Sequence, residues 1–208
     1  VEIGPGTGKL TELLLETYPD LVAVEVDERA VAYLREEFPE LDVREADVLE
    51  LDWSAIAEEA AGRAGTETGN AGAEGKVAGR DAAEHAGTPG AVPLSVVGNL
   101  PYQITSPILF ALIEAMPPVE EALLMMQEEV ADRIAADPGG KTYGVTSVLL
   151  QLAAEVEKLF AVPPQVFVPP PKVTSAVVRL TRRPHPAMAG KTISFEDVRE
   201  VVRTAFNQ

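Results

Sequence analysis

Apolar and polar residues along the first half of the chain form a pattern that predicts strands and helices in turn. Short apolar runs are followed by segments in which leucine recurs at helical spacing, as at Leu10, Leu13 and Leu14. The pattern predicts strands at 1–3, 21–26 and 42–46 and helices at 9–18 and 28–38. A β-α-β-α-β order indicates a parallel, doubly wound sheet with helices on both faces.

The second half continues this alternation, and a proline-rich loop precedes its last predicted strand and helix. The predicted strands are 94–97, 122–126 and 175–180, and the predicted helices are 105–115, 128–136, 145–154 and 194–206. Ser194 is the expected N-cap of the last helix. The loop 162–173 contains five prolines and is expected to be stiff.

Residues 54–92 interrupt the pattern. They are rich in Gly, Ala, Glu and Thr, lack Phe, Trp and Tyr, and show no apolar periodicity. Such a segment buries too little apolar surface to offset its ordering entropy, so we predict a disordered insertion. It interrupts a predicted domain that spans residues 1–185. The chain begins without Met inside a predicted strand, which indicates a piece of a longer protein.

Composition narrows the classes of function. The chain has no cysteine and two histidines, which lie among Gly, Pro and Ala residues, so disulfides, thiolate zinc sites and a metal centre are not expected. No apolar run is long enough to cross a membrane, and we predict a cytoplasmic protein without a membrane partner.

The charge of the chain is unevenly distributed. The net charge of −16 comes from 17 basic and 33 acidic residues, which taken alone argues against a nucleic-acid partner. However, the stretch between Phe160 and Phe195 contains no acidic residue. Its cations are Lys172, Arg179, Arg182, Arg183 and Lys191. This basic segment keeps an RNA partner open.

The first eleven residues, VEIGPGTGKLT, form a glycine-rich turn between a strand and a helix, where nucleotides bind. The pattern of an ATP-binding P-loop needs Gly and Ser or Thr where the chain has Ile3 and Leu10. The dinucleotide pattern needs a third Gly where the chain has Lys9. Both phosphate-binding motifs are therefore rejected.

An acidic residue precedes the loop and two more follow the next strands. Glu2 precedes Gly4 and Gly6, whose short spacing would let the backbone approach a small ligand. Glu25 ends the second strand, where a carboxylate can accept both ribose hydroxyls. Asp47 follows the third strand and could accept from an adenine amine. A nucleoside with a cationic sulfonium suits such an acidic site, which predicts S-adenosylmethionine as cofactor.

The second candidate motif is Asn-Leu-Pro-Tyr, comprising Asn99, Leu100, Pro101 and Tyr102 at the end of the fourth strand. The lone pair of an exocyclic amine is delocalised into its ring. The side-chain oxygen of Asn99 and the carbonyl of Pro101 could accept from the two N–H groups and turn the lone pair toward a methyl donor. Tyr102 could stack on the base. A simple turn after a strand would explain Pro101 alone.

Phe167 lies on the proline-rich loop. It is either a plug on the core or a second aromatic surface for a flipped base, and the neighbouring basic segment favours the second role. The sequence alone leaves both open.

These motifs carry a family resemblance. EIGPGTGKLT, NLPYQITSPILF, MMQEEVADRIAADPGGKTYG, FVPPPKVTSAVVRL and the terminal TAFNQ resemble the ribosomal RNA adenine N6-dimethyltransferases, most closely their small-subunit branch. The resemblance implies a Rossmann-like class I methyltransferase fold with an antiparallel last strand. It also implies that residues 186–208 begin a small C-terminal helical domain. We expect the protein to be a monomer.

The resemblance also assigns residue roles. Glu2, Gly4, Gly6, Glu25 and Asp47 would bind the cofactor, residues 99–102 would form the catalytic motif, with Asn99 also beside the cofactor, and Phe167 would stack on the base. The implied product is N6,N6-dimethyladenosine at two adjacent adenines near the 3′ end of small-subunit rRNA, within an immature small subunit. The alternatives are a large-subunit enzyme of the antibiotic-resistance type and an assembly factor with little turnover.

The chain departs from its relatives in several places. Members of the family carry a basic stretch before the glycine loop and a basic run after the final AFNQ, neither of which is in these 208 residues. Glu128 stands where relatives usually have a basic residue.

Overall fold

The computed structural model describes residues 1–67, 92–116, 118–183 and 195–206. Seven strands form one sheet in the order β3-β2-β1-β4-β5-β7-β6. The strands are β1 Glu2–Ile3, β2 Val22–Glu25, β3 Asp42–Glu45, β4 Leu94–Asn99, β5 Val119–Gln127, β6 Ala154–Val162 and β7 Ser175–Arg182. The helices are α1 Lys9–Leu15, α2 Glu28–Glu37, α3 Trp53–Glu67, α4 Thr105–Glu114, α5 Glu128–Ile134, α6 Val145–Ala153 and α7 Phe195–Phe206.

The first five strands are parallel, as the alternation of strands and helices predicts. Helices cover both faces of a parallel sheet, so its central strands read as continuous apolar runs. In β2, Val22, Ala23 and Val24 are all buried. Local chemistry also supports α2, because the Asp27 side chain accepts from the backbone N–H groups of Arg29 and Ala30 and caps its first turn.

The last strand, β7, runs antiparallel to both β5 and β6. This confirms the Rossmann-like class I fold with an antiparallel last strand. The pattern did not predict β6, which lies at the edge of the sheet directly after α6. Its alternating sequence AEVEKLFAV has the period of a half-exposed strand, and this signal was available.

The predicted insertion at 54–92 is wrong over its first part. Residues 54–67 belong to α3, where Trp53, Ile56 and Ala57 are buried in the main core. Two ion pairs join this helix to β3, Arg44 to Glu59 at 2.5 Å and Arg63 to Asp42 at 2.5 Å. The buried apolar residues of α3 lie near its start. The Gly and Ala residues that follow do not place large apolar residues at helical spacing, so the pattern did not predict the helix. Residues 68–91 lie outside the described part of the chain.

The terminal helix α7 begins where the sequence predicts and packs against α6. The rings of Tyr143 and Phe206 lie 6.4 Å apart, centre to centre. The proposed cap, Ser194, is outside the described residues, and the assignment of 186–208 to a further domain stays a prediction. Within the described residues, no helix combines the length and apolar character needed to cross a membrane.

Candidate active site

The proposed site lies where the order of the parallel strands reverses. From β1 the chain moves outward to β2 and β3, and it then returns to the other side of β1 with β4. Ligands of open α/β sheets bind at the carboxyl ends of the strands at this point. Ile3 pairs with Val24 on one side and with Gly98 on the other. The residues that follow, Gly4, Glu25 and Asn99, therefore meet at one edge of the sheet.

This edge is tightly built between β1 and β4. A Cβ atom on Gly98 would approach the carbonyl oxygen of Ile3 to 2.9 Å. Because that neighbour is backbone, it cannot move aside, and only glycine fits. Adjacent strands are about 4.8 Å apart, so Glu25 and Asn99, which lie on either side of the glycine loop, are separated by about 10 Å at the backbone.

The glycine loop has the conformation that its spacing suggests. Gly4, Gly6 and Gly8 have φ values of 62°, 56° and 75°. A Cβ atom on Gly8 would lie 2.5 Å from the Phe38 ring, whereas at Gly4 and Gly6 it would meet nothing within 4 Å. The loop thus packs on α2 at its far end and leaves open space at its near end, beside Glu25 and Asn99. At that end a ligand could therefore approach the loop backbone.

Glu2 lies beneath the loop with 2% of its surface exposed. Burial raises the pKa of its carboxyl above the ordinary value, and a hydrogen bond from Thr11 partly opposes the shift. The Thr11 hydroxyl donates to Oε2 of Glu2 over 2.7 Å, and Thr11 itself is fully buried. Glu2 is therefore a carboxylate held in a fixed orientation, with a stronger need for a cationic partner than an exposed glutamate has.

The carboxylate of Glu25 faces the glycine loop. Its Oε1 accepts from the backbone N–H groups of Val26 at 2.8 Å and Asp27 at 3.0 Å, and its Oε2 accepts from Gly6 at 3.1 Å. An ionised carboxylate has about four acceptor positions, so one remains, on Oε2. In this conformation Glu25 thus has room for one further hydrogen bond, on Oε2.

Asp47 is exposed beyond β3 and begins a 3-10 turn over Val48–Glu50. Its Oδ1 accepts from the backbone N–H of Leu49 at 2.9 Å. The backbone N–H of Ala46 donates to the carbonyl of Glu25 at 3.0 Å, and this bond holds the loop that carries Asp47 next to the end of β2. The structure therefore brings Asp47 to the same edge of the sheet as Glu25.

The Asn-Leu-Pro-Tyr segment leaves β4 and turns over the end of β5. Asn99 is exposed, and Leu100 is buried and anchored by its backbone N–H, which donates to the carbonyl of Met125 at 2.9 Å. The Pro101 carbonyl accepts from the backbone N–H of Ile104 at 3.2 Å and from the Thr105 hydroxyl at 3.0 Å. Of the two predicted acceptors for a target amine, the Asn99 oxygen is the more accessible in this conformation.

The ring of Tyr102 reaches across β5 to β7. Its hydroxyl forms a 2.6 Å hydrogen bond with the hydroxyl of Ser175, a fully buried residue at the start of β7. Ser175 pairs with Gln127 of β5 and Val162 of β6, so the sheet fixes its position on both sides. Tyr102 thus follows the anchored Leu100 and Pro101 in the chain and is held at its hydroxyl by β7.

Phe167 lies in the loop between β6 and β7, which leaves and re-enters the sheet at the same edge as the glycine loop. It follows a 3-10 turn over Pro164–Val166 and donates its backbone N–H to the carbonyl of Pro164 at 3.2 Å. Its side chain is partly buried, whereas the next residue, Val168, is 98% exposed. The topology therefore brings Phe167 to the edge of the sheet that carries the Asn-Leu-Pro-Tyr segment.

The cations of the basic segment that belong to β7 lie away from this edge. Strand β7 starts at the site and runs away from it, which places Arg179 about 13 Å from Ser175 at 3.3 Å per residue. Arg179 forms an ion pair with Glu157 at 2.5 Å, and Arg182 forms one with Glu120 at 2.7 Å. Proximity along the sequence misled here, because a strand carries its residues away from a loop quickly. Lys191 lies outside the described residues.

Glu128, at the start of α5, has a cation beside it. Lys158 on β6 forms ion pairs with Glu128 at 2.9 Å and with Asp132 at 2.6 Å, and these hydrogen bonds raise its pKa. Helix α5 and strand β6 are joined by this group. The described residues contain no cluster of His, Cys, Asp or Glu side chains able to hold a metal ion.

Three residues of the site were missed in the sequence. Thr11, Thr105 and Ser175 each bond a predicted site residue and are at most 2% exposed. The available signal was a hydroxyl at a position that the apolar pattern assigns to the core. A hydroxyl buried in such a position needs a partner, which in each case is a residue of a nearby motif.

The chain is similar to known proteins over its whole length. The ribosomal RNA adenine dimethylase family matches residues 1–208. The ribosomal RNA small subunit methyltransferase A of Salinibacter ruber is 49% identical over all of this chain, and that of Prosthecochloris aestuarii is 40% identical. The chain spans 60% and 66% of the length of these two relatives.

Two solved structures share the fold. A dimethyladenosine transferase from Plasmodium falciparum superposes with a TM-score of 0.70 at 25% identity, covering 100% of this chain and 62% of that one. The 23S rRNA methyltransferase ErmE gives 0.67 at 28% identity, covering 99% and 69%. The sequence matches the family over residues 1–208, and the sheet order and the motifs at one edge of that sheet agree with this match. The chain therefore belongs to the ribosomal RNA adenine dimethylase family.

Proposed function

We propose that the protein transfers methyl groups from S-adenosylmethionine to the N6 amines of two adjacent adenines near the 3′ end of small-subunit rRNA. The single observation that carries this proposal is the convergence of Asn99, the glycine loop and Glu25 at the strand-order reversal, with Tyr102 held beside them. The names of the similar proteins support the substrate.

The glycine loop and its acidic neighbours would hold the cofactor. The open space at Gly4 and Gly6 would take the nucleoside, and Glu2 beneath it would balance the positive charge of the methionine portion. The free acceptor position on Glu25 Oε2 would take one ribose hydroxyl, and a second would have to replace the Gly6 N–H. Asp47 would accept from the adenine amine. The bound cofactor supplies an electrophilic methyl group.

Asn99 would orient the target amine. Its side-chain oxygen can accept one N–H of the adenine amine, and the Pro101 carbonyl can accept the other when the Thr105 hydroxyl turns away. Two such bonds draw the nitrogen toward tetrahedral geometry and point its lone pair at the methyl group. The amine nitrogen would form its bond to the methyl carbon as the carbon–sulfur bond breaks, and the resulting ammonium would lose its extra proton to water. The reaction then needs positioning rather than a strong base. Tyr102 and Phe167 would stack on the flipped base.

The test is transfer of labelled methyl from S-adenosylmethionine to small subunits that lack the modification. We expect two methyl groups on each of two adjacent adenines, and a loss of at least 100-fold in rate for Asn99→Ala, because removal of one preorganised polar contact costs a factor of this order. An Asn99→Ala protein as active as the wild type would refute the mechanism.

Two controls separate the alternatives. Large-subunit rRNA offered in parallel identifies an enzyme of the type represented by ErmE. Rescue of small-subunit maturation by the Asn99→Ala protein would identify an assembly factor that needs binding rather than turnover. The proposal also includes binding to immature small subunits, which co-sedimentation tests. It further includes a monomeric state, tested by light scattering, and a cytoplasmic location, tested by cell fractionation.

A further inference from the structure

The Tyr102 side chain is fixed at both ends, and the second attachment lies on a strand that the catalytic motif does not include. Its backbone follows β4, and its hydroxyl bonds the Ser175 hydroxyl of β7 at 2.6 Å. With both ends held, the ring keeps one position and can only turn about its long axis. None of the predicted roles involves Ser175.

We propose that Ser175 is a positioning residue for methyl transfer, which acts by holding the Tyr102 ring as one wall of the adenine slot. This role rests on the proposed function. Ser175 is fully buried, so its hydroxyl must find a partner inside the protein, and the Tyr102 hydroxyl is that partner. A hydroxyl pair of this kind fixes direction, which an apolar contact of the same size does not.

Ser175 also connects the two aromatic residues of the site. It ends the loop that carries Phe167 and begins β7, and the neighbouring Thr174 carbonyl accepts from the backbone N–H of Glu128 at 3.0 Å. The loop is therefore anchored next to the residue that holds Tyr102. One strand end thus sets the positions of both proposed walls of the slot.

The proposal predicts which kinetic constant changes. Loss of the Ser175 hydroxyl leaves the Tyr102 ring in place as an apolar surface but frees its orientation. The target amine then reaches the productive geometry less often, so we expect kcat to fall about tenfold while the KM for RNA changes less than threefold. Binding of S-adenosylmethionine, measured by calorimetry, should be unchanged.

Four proteins test this role. Ser175→Ala removes the hydroxyl, Ser175→Cys keeps the shape of the side chain in a slightly larger thiol with a much weaker hydrogen bond, and Tyr102→Phe removes the partner. If Ser175 acts through Tyr102, each substitution lowers kcat by a similar factor and the double variant Ser175→Ala/Tyr102→Phe is no slower than either single one. Multiplied losses in the double variant, or wild-type kcat for Ser175→Cys, would overturn the proposal.

Ser147 provides the matched control. It is also fully buried, and its hydroxyl donates to the carbonyl of Arg133 at 2.5 Å, in the contact between α5 and α6 away from the site. Ser147→Ala should lower thermal stability to a similar extent as Ser175→Ala without changing kcat. A fall in kcat for both variants in step with stability would assign a purely structural role to Ser175.

A measurement independent of catalysis completes the test. In protein labelled with 13C-tyrosine, the ring signals assigned to Tyr102 by the Tyr102→Phe spectrum should shift and sharpen in Ser175→Ala and stay unchanged in Ser147→Ala. Unchanged Tyr102 signals in Ser175→Ala would overturn the positioning role alone. A wild-type protein that methylates no RNA, with the expected shifts present, would overturn the proposed function instead.

Discussion

The Thr11 hydroxyl donates a 2.7 Å hydrogen bond to Oε2 of Glu2, and both side chains are buried beneath the glycine loop. Burial raises the pKa of the Glu2 carboxyl, whereas this bond lowers it. Burial is the larger cause, and a residue of helix α1 therefore partly offsets its effect on the ionisation of the proposed cation-binding carboxylate. This hydrogen bond therefore links the first strand to the first helix beneath the glycine loop.

The first prediction concerns the pH dependence of cofactor binding. Binding of the cationic cofactor needs ionised Glu2, so affinity for S-adenosylmethionine should fall as pH drops through the raised pKa of Glu2, beginning above its ordinary value of 4.5. Thr11→Val removes the bond that favours the ionised form, which raises the pKa further and moves this fall to higher pH. Calorimetric titrations between pH 5 and 8 measure it.

The sign for folding is opposite to the sign for binding. Because the pKa of Glu2 is raised in the folded state, the folded protein holds this proton more tightly, and the contribution of Glu2 to stability decreases as pH rises through that window. Thr11→Ser keeps the hydroxyl and should keep the wild-type pH profile. Identical profiles for Thr11→Val and wild type would contradict the role of this bond.

The second prediction uses two glycines with opposite surroundings. Gly8 has a φ of 75°, and an added Cβ would lie 2.5 Å from the Phe38 ring, so Gly8→Ala should lower the free energy of unfolding by about 1–3 kcal/mol. Gly62 lies in α3 with open space at its Cβ position, and Gly62→Ala should raise it by about 0.5–1 kcal/mol. Urea denaturation of both variants measures the difference, and equal effects would rule out the left-handed loop.

The third prediction concerns α3, whose first part the sequence pattern assigned to an insertion. Ile56 is 2% exposed in the main core, so Ile56→Ala should lower the free energy of unfolding by about 2–5 kcal/mol. Glu58 is exposed on the same helix, and Glu58→Ala should change it by less than about 0.5 kcal/mol. If Ile56→Ala left the free energy of unfolding unchanged, these residues would belong to the insertion and not to the core.

The parallel half of the fold was predictable because buried strands and amphipathic helices have different periods. The glycine loop and the Asn-Leu-Pro-Tyr motif were also predictable, because their residue types are needed for backbone geometry or for hydrogen bonding at strand ends. Helix α3 was not, because two adjacent core residues and Trp53 anchor a helix whose remainder is small and polar. Strand β6 alternates as a strand should, yet it follows α6 without a turn.

Contacts between distant parts of the chain could not be predicted from the sequence. Tyr102 and Ser175 are separated by 73 positions and meet only because β7 enters the sheet next to β5. The same topology separates Arg179 from the loop that precedes it in sequence. Local patterns describe which residues can do chemistry, whereas strand order and direction decide which of them do it together.

The last prediction follows from that separation and concerns the salt dependence of RNA binding. Lys172 is exposed on the loop at the site edge, and no described acidic residue forms an ion pair with it. Each cation that contacts a phosphate contributes about 0.7–0.9 to the slope of log affinity against log salt concentration. Lys172→Ala should therefore reduce the slope for a single-stranded RNA by up to this amount.

Arg179 is the matched control, because it belongs to the same basic segment but lies along β7 and pairs with Glu157 and Glu121. Arg179→Ala should leave the slope unchanged, since a cation already neutralised by carboxylates releases no counterion from the RNA. Fluorescence anisotropy across a range of KCl concentrations measures both slopes. A reduced slope for Arg179→Ala and an unchanged one for Lys172→Ala would place the RNA backbone along the far end of the sheet, away from Asn99.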